Sequence, residues 1–152
     1  MHPDWIVPKW PVMPRVRAIC TTRAGGRSTD LFESMNLGDH VGDNALAVGT
    51  NRALLHKAID AHPVFLSQQH GIGVVELQHS TRQAIQADAC ITREPGVACT
   101  VLVADCLPVL FTDLQGSFVA AAHAGWRGLA GAAGIGVLES VSQHFLPSSP
   151  KD

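Results

Sequence analysis

Apolar residues along this chain come in short runs, separated by loops dense in Gly, Asp, Asn and Pro. That pattern predicts several short strands and few helices. The first segment, from Trp5 to Pro14, carries three prolines at close intervals, which predicts an extended arm over residues 1–14 rather than a helix. Val16 to Thr22 alternates enough to predict a strand, followed by the turn-rich Arg23-Ala-Gly-Gly-Arg-Ser28. Residues 33–44 form a second polar loop. Residues 45–60 then place Leu46, Val48, Leu54, Leu55 and Ile59 at helical spacing, the signature of an amphipathic helix.

Three later stretches share one shape, an apolar strand running into a polar or metal-capable residue. Val64-Phe-Leu66 leads to His70, Thr100-Val-Leu-Val-Ala104 leads to Asp105 and Cys106, and Phe118-Val-Ala-Ala-Ala122 leads to His123. Leu129, Leu138, Val141 and Phe145 then predict a helix over about residues 129–145. Gly131, Gly134 and Gly136 each weaken it by about 1 kcal/mol relative to Ala. Strands cluster and helices do not alternate strictly with them, which favours an α+β arrangement over a doubly wound sheet.

Composition narrows the class. With 152 residues, 46% hydrophobic and 16% charged, the chain is expected to fold as a single domain with a sizeable core rather than to be disordered. A net charge of −2 gives no bulk attraction for nucleic acid, and no apolar run is long enough to span a membrane. The N-terminus lacks the basic-then-apolar pattern of a secretory signal, so a cytoplasmic protein is expected. Cys20, Cys90, Cys99 and Cys106 include no Cys-x-x-Cys pair, and the first three are expected to be small core hydrophobes.

His70, Cys106 and His123 lie 36 and 17 residues apart, so no local motif joins them. Their common placement near strand ends groups them. Two imidazoles and a thiolate suit zinc, and three protein ligands leave a fourth position for water or substrate. Taken singly, each residue has a plainer reading, as a surface histidine or a core thiol, and spacing alone leaves both open. His123-Ala-Gly-Trp-Arg-Gly128 predicts a strand-to-helix turn whose backbone N–H groups and Arg127 can grip an anion, or whose arginine merely caps a carbonyl. Asp105 is a candidate orienter or base. The same ligand set occurs in blue-copper sites. A multicopper cluster needs about eight histidines, mostly in His-x-His pairs; the eight histidines here include no such pair.

Gln69-His70-Gly71, Ala87-Asp88-Ala89, Ala104-Asp-Cys-Leu-Pro-Val109 and His123-Ala-Gly-Trp-Arg-Gly128 closely resemble the YfiH-like family. Its members have been called laccase-domain or polyphenol oxidase proteins and are now described as purine nucleoside phosphorylases. Ile6-Val-Pro, Thr22 to Ser28, Met35-Asn-Leu-Gly38 and Gly42-Asp-Asn44 fit as well. The resemblance implies a four-layer α/β/β/α fold like that of cytotoxic necrotising factor toxins, and zinc on His70, Cys106 and His123. It also implies phosphorolysis of adenosine, inosine and methylthioadenosine, with adenosine deamination as a second activity. Copper-dependent phenol oxidation and peptidoglycan editing are attributed to some members. Arg127 would then hold phosphate, while Arg23 and Asn36, in the polar loops, are candidate substrate contacts. Members continue well past the helix ending here near Phe145, so the resemblance implies a domain lacking its C-terminal third, monomeric or weakly self-associating. Two rivals stand beside this reading: a cysteine hydrolase or amidase using Cys106 and His123, and an inactive fragment that only binds metal.

Overall fold

The computed structural model describes residues 1–145; the chain end from Leu146 onward lies outside the described residues. Its elements are helices mixed with short strands, and the α+β class holds. The chain divides into two compact units, Met1–His62 and Pro63–Asp152.

In the first unit, residues 1–14 form no helix, and the stretch from Val16 to Thr22 contributes only an isolated bridge, Ile6 with Cys20. The expected strand is therefore absent; the segment finds no ladder to join. Helix α1, Ala45–Ile59, forms as its pattern predicts. Asn44 caps it by accepting the N–H groups of Leu46 (2.9 Å) and Ala47 (3.1 Å). Asp60, at φ 51°, ends it in the left-handed region. Its buried stripe is Val48, Asn51 and Leu55, whereas Leu46 is exposed. Asn51 thus takes a core position with a polar side chain. Its Oδ1 accepts the Arg27 N–H at 2.7 Å, and its Nδ2 donates to Ser28 Oγ (3.0 Å), Ser34 O (3.1 Å) and Asn36 O (2.8 Å). One amide therefore holds both polar loops.

The second unit is built on a four-stranded sheet and a two-stranded one. Strands β1 (His62–Phe65) and β4 (Val97–Thr100) form the pair. The larger sheet has the order β2-β3-β6-β5, from β2 (Val74–Glu76), β3 (Ala89–Thr92), β5 (Leu107–Thr112) and β6 (Val119–Ala124). β2 and β3 run parallel, and β6 is antiparallel to both β3 and β5. Alternation along β6 separates two cores. Ala121 faces Val64, Leu66, Leu77, Cys90 and Val97, while Ala120, Ala122 and Ala124 face Ile91, Val137 and Val141. Small side chains on that second face let a helix approach closely.

The helix expected over residues 129–145 is two helices, α2 (Trp126–Ala130) and α3 (Val137–Gln143). Gly131 makes the break. Its φ of 56° and ψ of −149° suit glycine alone, and a Cβ there would lie 1.9 Å from the Ile135 carbonyl oxygen. Val137 and Val141 of α3 are fully buried against the sheet. Among the described residues no helix is long and apolar enough to cross a membrane, and all four cysteines are free.

Candidate metal centre

The sheet brings the predicted ligands to one of its ends. β6 is followed there by Gly125, whereas β2, β3 and β5 begin there. His123 is the fifth residue of β6, and extending the β3–β6 register by one places Asp88 opposite it; the His123 N–H donates to the Asp88 carbonyl at 2.7 Å. Extending the β5–β6 register by one places Cys106 opposite Gly125. His70 arrives on the loop ahead of β2. Gln68 fixes that loop, its side-chain amide donating to Leu102 O (2.8 Å) and accepting the Leu102 N–H (2.7 Å). The segment leading to Cys106 is thereby tied to the segment leading to His70.

One ligand atom each from His70, Cys106 and His123 lie within 4.8 Å of one another. The two imidazoles meet edge to face, with centroids 4.7 Å apart and planes at 75°. His123 is buried, Cys106 half-buried and His70 exposed, so the cluster has a floor and an open side. Gly125 lies against it. A Cβ at that position would stand 2.9 Å from Cys106 Sγ and 3.1 Å from His70 Cδ2. Gly125→Ala is therefore expected to weaken metal binding about tenfold to a hundredfold, the equivalent of an overpacking penalty of about 1–3 kcal/mol. Chelator competition measures this, and an affinity unchanged from the parent would show that the ligands do not need the space.

The partner that sequence reasoning left without a role is Asp88. It is 1% exposed, and its Oδ1 lies 3.0 Å from His123 Nδ1. The same carboxylate accepts the backbone N–H groups of Gln69 (3.1 Å), His70 (2.8 Å) and Gly71 (2.7 Å). Burial acts to raise its pKa, but the His123 bond and the three backbone donors outweigh it and hold the carboxyl below its ordinary value. Asp88 therefore adds stability above the unfolded carboxylate pKa, which is lost as pH falls through the lower folded one. An ionised carboxylate only accepts, so the contact calls for a proton on His123 Nδ1 and leaves Nε2 as the ring nitrogen that can serve a metal. This donor chemistry fits a borderline-soft metal ion. Cys106 stands differently. Burial first, then the neighbouring Asp105, push its thiol above the ordinary value, and a bound cation would reverse that.

The other predicted residues lie outside the ligand triangle. Asp105 is exposed beside Cys106. Arg127 is exposed, with its guanidinium 4.5 Å from the ring centroid of Trp126. Helix α2 is only five residues long, so it lends little dipole to an anion. Arg23 and Asn36 belong to the first unit. Arg23 donates to the carbonyls of Glu33 (3.0 Å) and Leu31 (3.2 Å), and Asn36 Nδ2 donates to Gly38 O and Asp43 Oδ2. Asp88 directly precedes β3 and lies in the Ala87-Asp88-Ala89 motif, which is the one signal in the sequence that could have pointed to it.

The fold and site define an α+β protein with one three-ligand, metal-capable centre at a sheet end. The chain belongs to the family described as multi-copper polyphenol oxidoreductase laccase, whose model matches residues 17–149. Among the described residues only the group of His70, Cys106 and His123 could hold a metal, so no multicopper cluster is assembled there. The chain is 52% identical over 136 residues to the purine nucleoside phosphorylase PA4543 of Pseudomonas aeruginosa, covering 90% of this chain and 54% of that protein. It is 47% identical over 154 residues to a purine nucleoside phosphorylase of Haemophilus influenzae, covering 100% of this chain and 59% of that one. The crystal structure of Neisseria meningitidis protein NMB0706, of family DUF152, superposes with a TM-score of 0.87 at 41% identity, over 95% of this chain and 58% of that one. The chain thus spans a little over half the length of these relatives.

Proposed function

We propose that this chain carries the metal centre of a zinc-dependent purine nucleoside phosphorylase. Its substrates are adenosine, inosine and methylthioadenosine with phosphate, and adenosine deamination is its second activity. The observation that carries this reading is the convergence of His70, Cys106 and His123 to within 4.8 Å, open on the His70 side. The names of the relatives support the substrate class. When bound, zinc would supply Lewis-acid polarisation of a group in its open position.

The protein's own residues do the rest. Arg127, exposed two residues after Gly125, holds phosphate against the ribose. A phosphate oxygen bonds to C1′ as the bond from C1′ to the base nitrogen breaks. The electron pair passes to the base nitrogen, which takes up the proton that the attacking hydrogen phosphate gives up, and Asp105 serves as the relay between them. Arg23 and Asn36 contact the nucleoside. Two imidazoles and a thiolate also suit copper, with phenol oxidation as the activity it would serve. In this reading the protein works in the cytoplasm, as a monomer or weak self-associate.

The test is phosphate-dependent release of hypoxanthine from inosine by the zinc-loaded chain, followed by chromatography, with metal content measured on the same sample. Release that needs both phosphate and zinc is expected. A zinc-loaded chain that releases no base would leave a metal-binding segment without phosphorolysis, and the reading would fail.

One observation favours a second reading. The order Asp88, His123, Cys106 is also that of an orienter, a base and a thiol nucleophile. Such a hydrolase would keep full activity in His70→Ala and bind no zinc. The raised thiol pKa runs against it, because activated cysteines are depressed instead.

A further inference from the structure

We infer that Asp88 is the positioning residue of the metal centre, one buried carboxylate that sets both histidine ligands at once. The inference rests on the metal reading above. His70 and His123 come from separate segments, a loop and a strand, and nothing in their spacing would hold them in register. Asp88 joins them. Its Oδ1 faces His123 Nδ1 at 3.0 Å and also accepts the His70 N–H at 2.8 Å. Its Oδ2 accepts the Gly71 N–H at 2.7 Å, and both oxygens lie 3.1 Å from the Gln69 nitrogen.

The main chain of the same residue grips both sides again. Its carbonyl accepts the His123 N–H at 2.7 Å, and its N–H donates to Gly73 O at 3.0 Å. His70 itself sits at φ 58°, in the left-handed region that side-chain-bearing residues rarely adopt. Three consecutive N–H groups closing on one carboxylate hold it there. Gly71 is packed on the same group, with a Cβ at that position falling 3.4 Å from Asp88 Oδ2. The geometry fixes the ring that Asp88 touches and the backbone that aims the other ring.

An asparagine at this position keeps the shape but not the pattern. It offers one acceptor oxygen in place of two, so its NH₂ must face either backbone donors or His123 Nδ1. The second arrangement would move the ring proton to Nε2, where it blocks coordination.

The experiment uses the full 152-residue chain loaded with Co²⁺, whose absorption reports ligand geometry, and Zn²⁺ in chelator competition. The parent is expected to bind one ion with the intense visible bands of a tetrahedral site and a thiolate charge-transfer band. Asp88→Asn is expected to lose about tenfold to a hundredfold in Zn²⁺ affinity. Its visible bands should weaken while the Cys106 charge-transfer band persists. Melting of both metal-free proteins fixes a temperature at which each is folded, so that lost stability is not read as lost affinity. A folded Asp88→Asn with affinity within threefold of the parent and unchanged bands would overturn the inference. A parent that binds neither ion would overturn the metal reading beneath it. If the variant does not fold, ¹⁵N spectra of the parent's histidines decide: protonated Nδ1 on His123 is expected, and protonated Nε2 with bare Nδ1 would overturn the assignment.

Discussion

His123→Ala is expected to abolish stoichiometric metal binding, with Zn²⁺ affinity falling by more than about a hundredfold, the upper end of what losing an outer partner alone costs. His123 is 3% exposed and sits inside β6, a strand that offers the cluster no other metal-ligating side chain. His70 is exposed on a loop, where water can replace its nitrogen, so His70→Ala should cost less. Stability should fall as well, by about 1–3 kcal/mol, because one acceptor position of Asp88 loses its donor inside the protein. Metal content after dialysis and chelator competition on both variants measure the order. Equal, undiminished zinc stoichiometry in His123→Ala would refute the ligand assignment. Loss in His70→Ala greater than in His123→Ala would refute the burial argument.

The ligands were legible in the sequence for a reason that proved only partly physical. The sequence pattern predicts that each follows a strand. His123 lies inside β6, Cys106 directly precedes β5, and His70 is five residues beyond β1. In a mixed sheet one end gathers both starts and finishes, so the three meet although the local pattern differs at each. What gathers them is the register of β3, β6 and β5, a set of long-range pairings that local periodicity does not encode. The motif around each ligand carried the information instead.

Where local rules suffice, the reading matched. Helix α1 begins at its Asn44 cap and ends one residue before the expected limit. Helix propensity alone predicts that Gly131 only weakens a helix by about 1 kcal/mol, but its conformation is one that only glycine adopts freely, so it ends α2 outright. Asp88 and Asn51 escaped for a shared reason. Both are polar residues at buried positions, and hydrophobic patterning identifies buried positions only when they are apolar.

Asn51→Leu tests what the second of these does. Leucine keeps the branching of asparagine and favours the helix, but its methyl groups need more room than contacts of 2.7 to 3.1 Å leave. It cannot bond. The Arg27 N–H and the Ser34 and Asn36 carbonyls would lose a partner that is 0% exposed, along with Ser28 Oγ. Ser34 O keeps the Ser28 N–H and Ser28 Oγ keeps Asp43, so the Arg27 N–H and the Asn36 carbonyl lose most, at about 1–3 kcal/mol each where water cannot replace the amide. A net loss of about 3 kcal/mol is expected, which lowers Tm by about 10 °C for a protein of this size. Replacing the exposed Ala53 one turn-face away should change stability by less than about 0.5 kcal/mol. The loops freed are those carrying Arg23 and Asn36, whose backbone groups are tied into the same network: the Ser34 and Met35 N–H groups donate to Arg23 O. If those two residues contact the nucleoside, KM should rise in Asn51→Leu while metal affinity, set in the other unit, stays at the parent value. A destabilised variant with unchanged KM would assign Arg23 and Asn36 to loop structure alone, and a variant as stable as the parent would show that the loops are held without Asn51.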